Sequence, residues 1–176
     1  MRSSTVCGPK SIRCSKGNTN DKPINEPKGV QKPHPPFWIG GGGEKVRLKL
    51  VAKWGDACNL GSANLDQFRH KLEVLKQHCE AVGRDYNEIV RSTGVTVHLI
   101  ENGHNAEQET AKARGNKSYE EYARDTIVGT PEMVVERLQR LVDAGADYFI
   151  VSIPRIAYDQ EPLQRFAQEV MPQFRS

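Results

Sequence analysis

Four consecutive glycines, Gly40-Gly41-Gly42-Gly43, follow the short apolar run Phe37-Trp38-Ile39 and precede a stretch of helical character from Glu44 to Lys53. Glycine lets the backbone approach an anion closely, and the next helix offers free N–H groups and the positive end of its dipole. Strand, glycine turn and helix together make a candidate phosphate cradle, with a plain strand-to-helix turn as the alternative. A plain strand-to-helix turn needs positive φ at one or two positions, and four glycines exceed that need. The pattern is neither of two familiar motifs. Lys45 stands where GxGxxG requires its last glycine, and no Gly-Lys-Ser/Thr follows, so the segment is not a P-loop. Arg47, one turn on, disfavours the helix dipole but could reach the same anion; a solvated surface arginine is the alternative.

A second helix start, Val128-Gly129-Thr130-Pro131-Glu132, holds an N-cap threonine, a proline at the first helical position and an acid in the first turn. It reads as a capping sequence, with cofactor contact as a weaker alternative. Other chemistry is sparse. His70 and His78 stand eight apart without a second ligand type placed for a metal, and His34, His98 and His104 are scattered. Neither HExxH nor GxSxG occurs, so no metal site and no nucleophile elbow are expected. Cys7 and Cys14 are too widely spaced for a CxxC pair, while Cys58 and Cys79 fall within apolar patterning and read as buried free thiols. A reduced, cytoplasmic setting suits them.

The elements that would position the glycines alternate strand with helix. Asp56–Leu60 is a weak second strand. Leu65, Phe68, Leu72, Leu75, Cys79 and Val82 recur at spacings of three and four and predict a helix closed by Gly83. Ile89–Ile100 is β-rich, and polar residues 102–127 read as an exposed helical excursion in which Tyr119 and Tyr122 carry no signal. Val134, Leu138, Leu141 and Val142 stripe a helix from Thr130 that Gly145 stops. Residues 147–153 form an apolar strand expected to be buried on both faces, and Leu163, Phe166, Val170 and Phe174 stripe a final helix. Four strand-then-helix units without hairpin signals mean a parallel sheet covered by helices, either a small doubly wound sheet or part of a (βα)8 barrel. A whole barrel takes about 250 residues, and this chain has 176.

The charge is uneven. Of 25 basic and 22 acidic residues, six basic and two acidic lie in residues 1–29, so the remainder is nearly neutral. That balance argues against a nucleic-acid binder, and no apolar run approaches the roughly 20 residues of a membrane span. Residues 1–32 are proline-bearing and lack periodicity, and they read as a disordered or non-homologous tail ahead of a folded unit spanning 33–176.

Four segments carry a resemblance: PHPPFWIGGGGEKVRLKLVAKWGDACNL (33–60), RHKLEVLKQHCEAVGRDYNEI (69–89), VGTPEMVVERLQRLVDAGADYFI (128–150) and LQRFAQEVMPQF (163–174). In order and spacing they resemble the luciferase-like monooxygenase superfamily, in particular its coenzyme F-420-dependent oxidoreductases of actinobacterial type. The resemblance implies the C-terminal half of a TIM (β/α)8 barrel, about four βα units with an α-helical insertion. It also implies a flavin- or deazaflavin-dependent oxidoreductase or monooxygenase that holds FMN or coenzyme F-420 at its strand ends and acts on a small-molecule substrate.

In that family the loop after the fifth strand meets the cofactor phosphate, which maps onto Gly40, Gly41, Gly42, Gly43 and Glu44. The sixth strand end maps onto Cys58 and Asn59. Arg47 stands where relatives commonly have threonine, as an extra phosphate partner or a sign of relaxed constraint. No catalytic acid or base is assigned. The first four βα units have no counterpart, which leaves two alternatives: a catalytically inactive remnant, or a half-barrel module that assembles with a partner chain. Strands near Trp38 and Phe149 would keep unpaired edges, so a homodimer or a complex with an N-terminal half barrel is expected.

Overall fold

Asn64 begins the longest helix of the chain. Its side-chain oxygen accepts the Gln67 N–H at 3.0 Å and satisfies one of the four donors that a helix start leaves open. In the computed structural model, which describes residues 29–61 and 64–174, this helix is α2 (Leu65–Val82). Phe68, Leu72, Leu75 and Cys79 line its buried face, and Gly83 ends it in the left-handed region at φ 69°, as expected.

The chain runs β1 (Trp38–Gly40), α1 (Arg47–Trp54), β2 (Ala57–Asn59), α2, β3 (Val90–Leu99), α3 (Ala106–Arg114), α4 (Tyr119–Asp125), β4 (Thr126–Gly129), α5 (Pro131–Asp143), β5 (Tyr148–Ser152) and α6 (Glu161–Arg165). The described residues 29–37 fall in a separate unit, in which His34 stacks on Phe37 with ring centroids 4.6 Å apart. No helix among the described residues is long and apolar enough to cross a membrane.

All strand pairs are parallel, as strand–helix alternation requires. β3 is the hub. It pairs with β2 through Val90–Ser92, with β5 through Ser92–Thr96 and with β4 through Thr96–Leu99. β1 pairs only with β2, and β5 only with β3, so each keeps a single-sided edge among the described residues. Helices cover one face. There Leu48, Val51, Phe68, Leu75, Val97, Val134 and Val170 pack into one core with essentially no solvent exposure. α5 enters through Pro131 at its first turn. Thr130 departs from the expected cap, because its hydroxyl donates to the Glu132 carboxylate at 2.7 Å and makes no capping bond.

Three expectations need correction. β5 runs apolar from Tyr148 to Val151, yet only Phe149 and Val151 turn toward the helices; Tyr148 is 51% and Ile150 43% exposed. Their register partners are Ser92 and Gly94, which places them on the sheet face opposite the main helix-packed core, together with Trp38 and Val90. Across that face Trp38 of β1 and Tyr148 of β5 meet edge-on with centroids 5.3 Å apart.

The final helix is not continuous. It passes from α6 into a π turn at Phe166–Val170 and a 3-10 turn at Met171–Phe174, where Pro172 lacks an N–H and crowds the preceding turn. Within the excursion, Ser118 and Glu121 form a capping box that starts α4, and Tyr122 is buried against Ile100 and Val128 instead of exposed.

One ion pair ties the two longest-range strands. Arg91 Nε and Nη2 donate to the two Asp147 oxygens at 2.7 Å each, and the Arg91 backbone N–H donates at 3.0 Å. Partial burial raises the Asp147 carboxyl, and the Arg91 hydrogen bonds outweigh it, holding the group below its ordinary 3.8. A carboxyl lowered by folding contributes stability above its unfolded value and loses that contribution as pH falls through its folded value. Asp147→Asn is expected to cost about 1–2 kcal/mol at neutral pH, a modest figure because the side chain is partly solvated. Urea melts at neutral pH and near pH 3 check this: the difference between wild type and variant should shrink in acid.

Candidate glycine-turn anion site

β1 ends at Gly40 and the chain turns at Gly41, whose φ of +100° suits glycine and strains other residues. The Gly41 N–H donates to the Asn59 carbonyl at 2.8 Å, pinning the turn to the end of β2, and the Leu48 N–H donates to the Gly43 carbonyl at 3.1 Å as α1 begins. Two cations lie against the bare backbone. A Cβ built on Gly41 would come within 2.6 Å of Arg47 Nη1. One on Gly42 would overlap Lys71 Nζ and stand 2.6 Å from its Cε. Gly43 has only ordinary contacts with Arg47, and Gly40 meets nothing. Hydrogen at Cα is thus what lets both cations reach the turn.

Arg47 is the first residue of α1, and Lys71 projects from α2, where Nζ also donates to the Leu60 carbonyl at 3.4 Å. Lys71 was not singled out from the sequence. It sits in mid-helix beside Leu72 with no local mark, and packing of α1 on α2 brings it to the glycines. The two α2 histidines brace Glu44 at the end of the same loop. His70 Nε2 is 3.0 Å from a Glu44 carboxylate oxygen, and His78 Nε2 donates to the Glu44 carbonyl at 2.9 Å. Glu44 is thereby engaged by His70, leaving Arg47 and Lys71 without a carboxylate partner in the turn.

Asn59 is committed to shaping the turn: its carbonyl takes the Gly41 N–H, and its side-chain oxygen accepts the Gly61 N–H at 3.1 Å. Cys58 stands differently. Its side chain lies in the helix-covered core, and burial pushes the thiol up to about 11, so it is protonated and inert at neutral pH. It can offer the site backbone only, and its carbonyl already accepts the Ser92 hydroxyl at 2.7 Å. Gly40–Gly43, Glu44, Arg47 and Asn59 therefore converge, while the Cys58 thiol points elsewhere.

Near the C-terminal end of β3, His98 Nδ1 lies 3.0 Å from the Tyr122 hydroxyl. Burial holds this imidazole below its ordinary 6.5 despite the opposing charge of Glu109, so it is neutral at pH 7. Among the described residues no group of three His, Cys, Asp or Glu side chains could hold a metal. Cys7 and Cys14 lie outside the described residues.

No protein-family model matches the chain, and no curated protein matches it. Solved structures do. An F420-dependent secondary alcohol dehydrogenase, in complex with an F420-acetone adduct, superposes with a TM-score of 0.70 over 95% of this chain and 57% of its own, at 15% identity. Monooxygenase RslO1 from Streptomyces bottropensis matches at 0.65 over 85% of this chain and 51% of its own, at 19% identity. The coenzyme F420-dependent tetrahydromethanopterin reductase from Methanopyrus kandleri matches at 0.62 over 80% and 51%, at 18% identity. The chain spans about half the length of these structures. Its five parallel strands, one more than the four units expected because the short β4 was not foreseen, are thus a partial barrel with the fold that these F420-dependent enzymes and this monooxygenase share.

Proposed function

We propose that the chain is the cofactor-phosphate-binding part of a flavin- or deazaflavin-dependent oxidoreductase of the luciferase-like type, taking FMN or coenzyme F-420. One observation carries this reading: Arg47 and Lys71 lie directly against Gly41 and Gly42, at the strand ends where barrels of this architecture place their ligands. Two guanidinium or ammonium groups, a bare backbone and a helix start suit a phosphate monoester. The bound ring system would supply the hydride or oxygen chemistry on a small-molecule substrate. The chain's own residues bind and orient. Arg47 and Lys71 hold the phosphate, Gly41–Gly43 admit it, Asn59 fixes the turn to β2, and Glu44 is held back by His70 and His78.

The open sheet face supports a second part of the proposal. Trp38, Val90, Tyr148 and Ile150 expose apolar surface there, and β1 and β5 keep free edges. A second (βα)4 unit, from another copy of this chain or a separate N-terminal half, would cover both. The same exposure favours the alternative of a half-barrel module without turnover of its own. Buried free thiols at Cys58 and Cys79 support a cytoplasmic setting.

Titration of the purified chain with FMN and with F-420, followed by fluorescence, tests the first part. Saturable micromolar binding of one of them is expected. Absence of binding to both, in a sample that melts cooperatively, would overturn the cofactor reading.

A further inference from the structure

A second cluster of cations surrounds a cleft whose lining shares no residue with the glycine turn. The cleft has a volume of about 370 Å³ and lies between the start of α2, the end of α4 with the start of β4, and α5. Three arginines line it: Arg124 at the end of α4, and Arg137 and Arg140 on α5. Spaced i and i+3, Arg137 and Arg140 share a helix face, and like charges so placed repel. Arg140 Nη2 is engaged by Glu136 at 2.6 Å, whereas Arg124 and Arg137 have no carboxylate partner among the described residues. Asp66 is the one acid of the lining, in the first turn of α2, where the helix dipole already favours a carboxylate.

The floor adds directed donors. At the start of the 18-residue α2, the Gln67 N–H is taken by the Asn64 side chain and the Phe68 N–H by the Asn64 carbonyl. The Leu65 and Asp66 N–H groups have no partner among the described residues. They stand at the same cleft as the unpaired guanidiniums. Leu65, Ala123, Ile127 and Leu141 form the rest of the wall and offer apolar support beside the charges.

We propose that this cleft binds a small phosphate monoester, with the phosphate between Arg124, Arg137 and the α2 start and the organic part on the apolar wall. Guanidinium forks match the oxygens of a phosphate, a helix start adds oriented N–H donors, and the volume admits a substituent beyond the phosphate. A plain carboxylate would use the same charges with fewer oxygens. The site is independent of the glycine turn and of whichever cofactor that turn takes.

The test uses the full chain, labelled with 15N, titrated with phenyl phosphate, with inorganic phosphate and with benzoate. The Leu65 and Asp66 amide signals report this cleft, and the Gly41–Gly43 amides report the glycine turn. Phenyl phosphate is expected to shift Leu65 and Asp66 saturably, more tightly than inorganic phosphate and benzoate. That response should weaken about tenfold or more in Arg124→Gln/Arg137→Gln and persist in Arg47→Gln/Lys71→Gln. Both pairs are exposed or half-exposed side chains, and unchanged melting would confirm that the fold is intact. Three results would overturn the proposal: no saturable shift at Leu65 and Asp66, an equal response to benzoate, or a response undiminished in the Arg124/Arg137 variant.

Discussion

Gly42→Val is expected to weaken binding of FMN or F-420 by about ten- to hundredfold while leaving the chain folded, the range a lost charge-assisted hydrogen bond to phosphate covers. The reason is specific to the neighbour. A valine here would drive into the Lys71 amine, the free end of a flexible side chain, so the strain is relieved by swinging the lysine away. The stability cost stays under about 1 kcal/mol, because no backbone has to move. Relief of strain, however, removes one of the two cations from the turn.

Gly41→Val makes the contrast. Its φ of +100° is poorly open to a β-branched residue, and it meets the Arg47 guanidinium as well, so it should cost about 1–2 kcal/mol or more in stability. Fluorescence titration run beside thermal melts separates the two effects. Wild-type affinity in Gly42→Val would show that Lys71 has no part in binding.

The second large effect concerns assembly. Sedimentation of the purified chain at micromolar concentration is expected to show a species of twice 19.7 kDa, unless a separate N-terminal half is supplied. Covering Tyr148 and Ile150 removes large apolar side chains from water, each worth about 1–2 kcal/mol when already half-buried. Placing aspartate at both positions (Tyr148→Asp/Ile150→Asp) should therefore raise the dissociation constant more than a hundredfold, by roughly the 3 kcal/mol or more that the pair supplies. Neither residue belongs to the helix-covered core, so the variant should keep its helical circular dichroism. A 19.7 kDa species that melts sharply and stays soluble would sink the assembly proposal, since it would show the open face to be tolerated in water.

The longest helix and the glycine turn were both legible, and for the same reason. The spacing of Phe68, Leu72, Leu75 and Cys79, and the closing Gly83, act over three to four residues, so the helix and its C-terminal end are written locally. The glycine run acts within a single turn. β4 and the break of the last helix were harder, since a four-residue strand carries almost no period and Pro172 decides the break from outside the stripe.

What the chain alone determined, then, is the alternation of strands with helices, the parallel sheet it entails and the glycine turn after the first strand; the fifth strand, β4, came only from the tertiary structure. Tertiary structure decided which side chains share that turn. Lys71 stands 28 or more residues from every glycine of the run, and only packing of α1 against α2 sets it beside Gly42. Register decided that Tyr148 and Ile150 face away from the helices, because an apolar run without alternation does not say which face is covered. It is likewise the meeting of α2, α4 and α5 that turns three arginines, each readable as a solvated charge, into one cleft. Local physics writes conformation into neighbouring residues, while charge, burial and chemistry depend on distances that the folded chain alone defines.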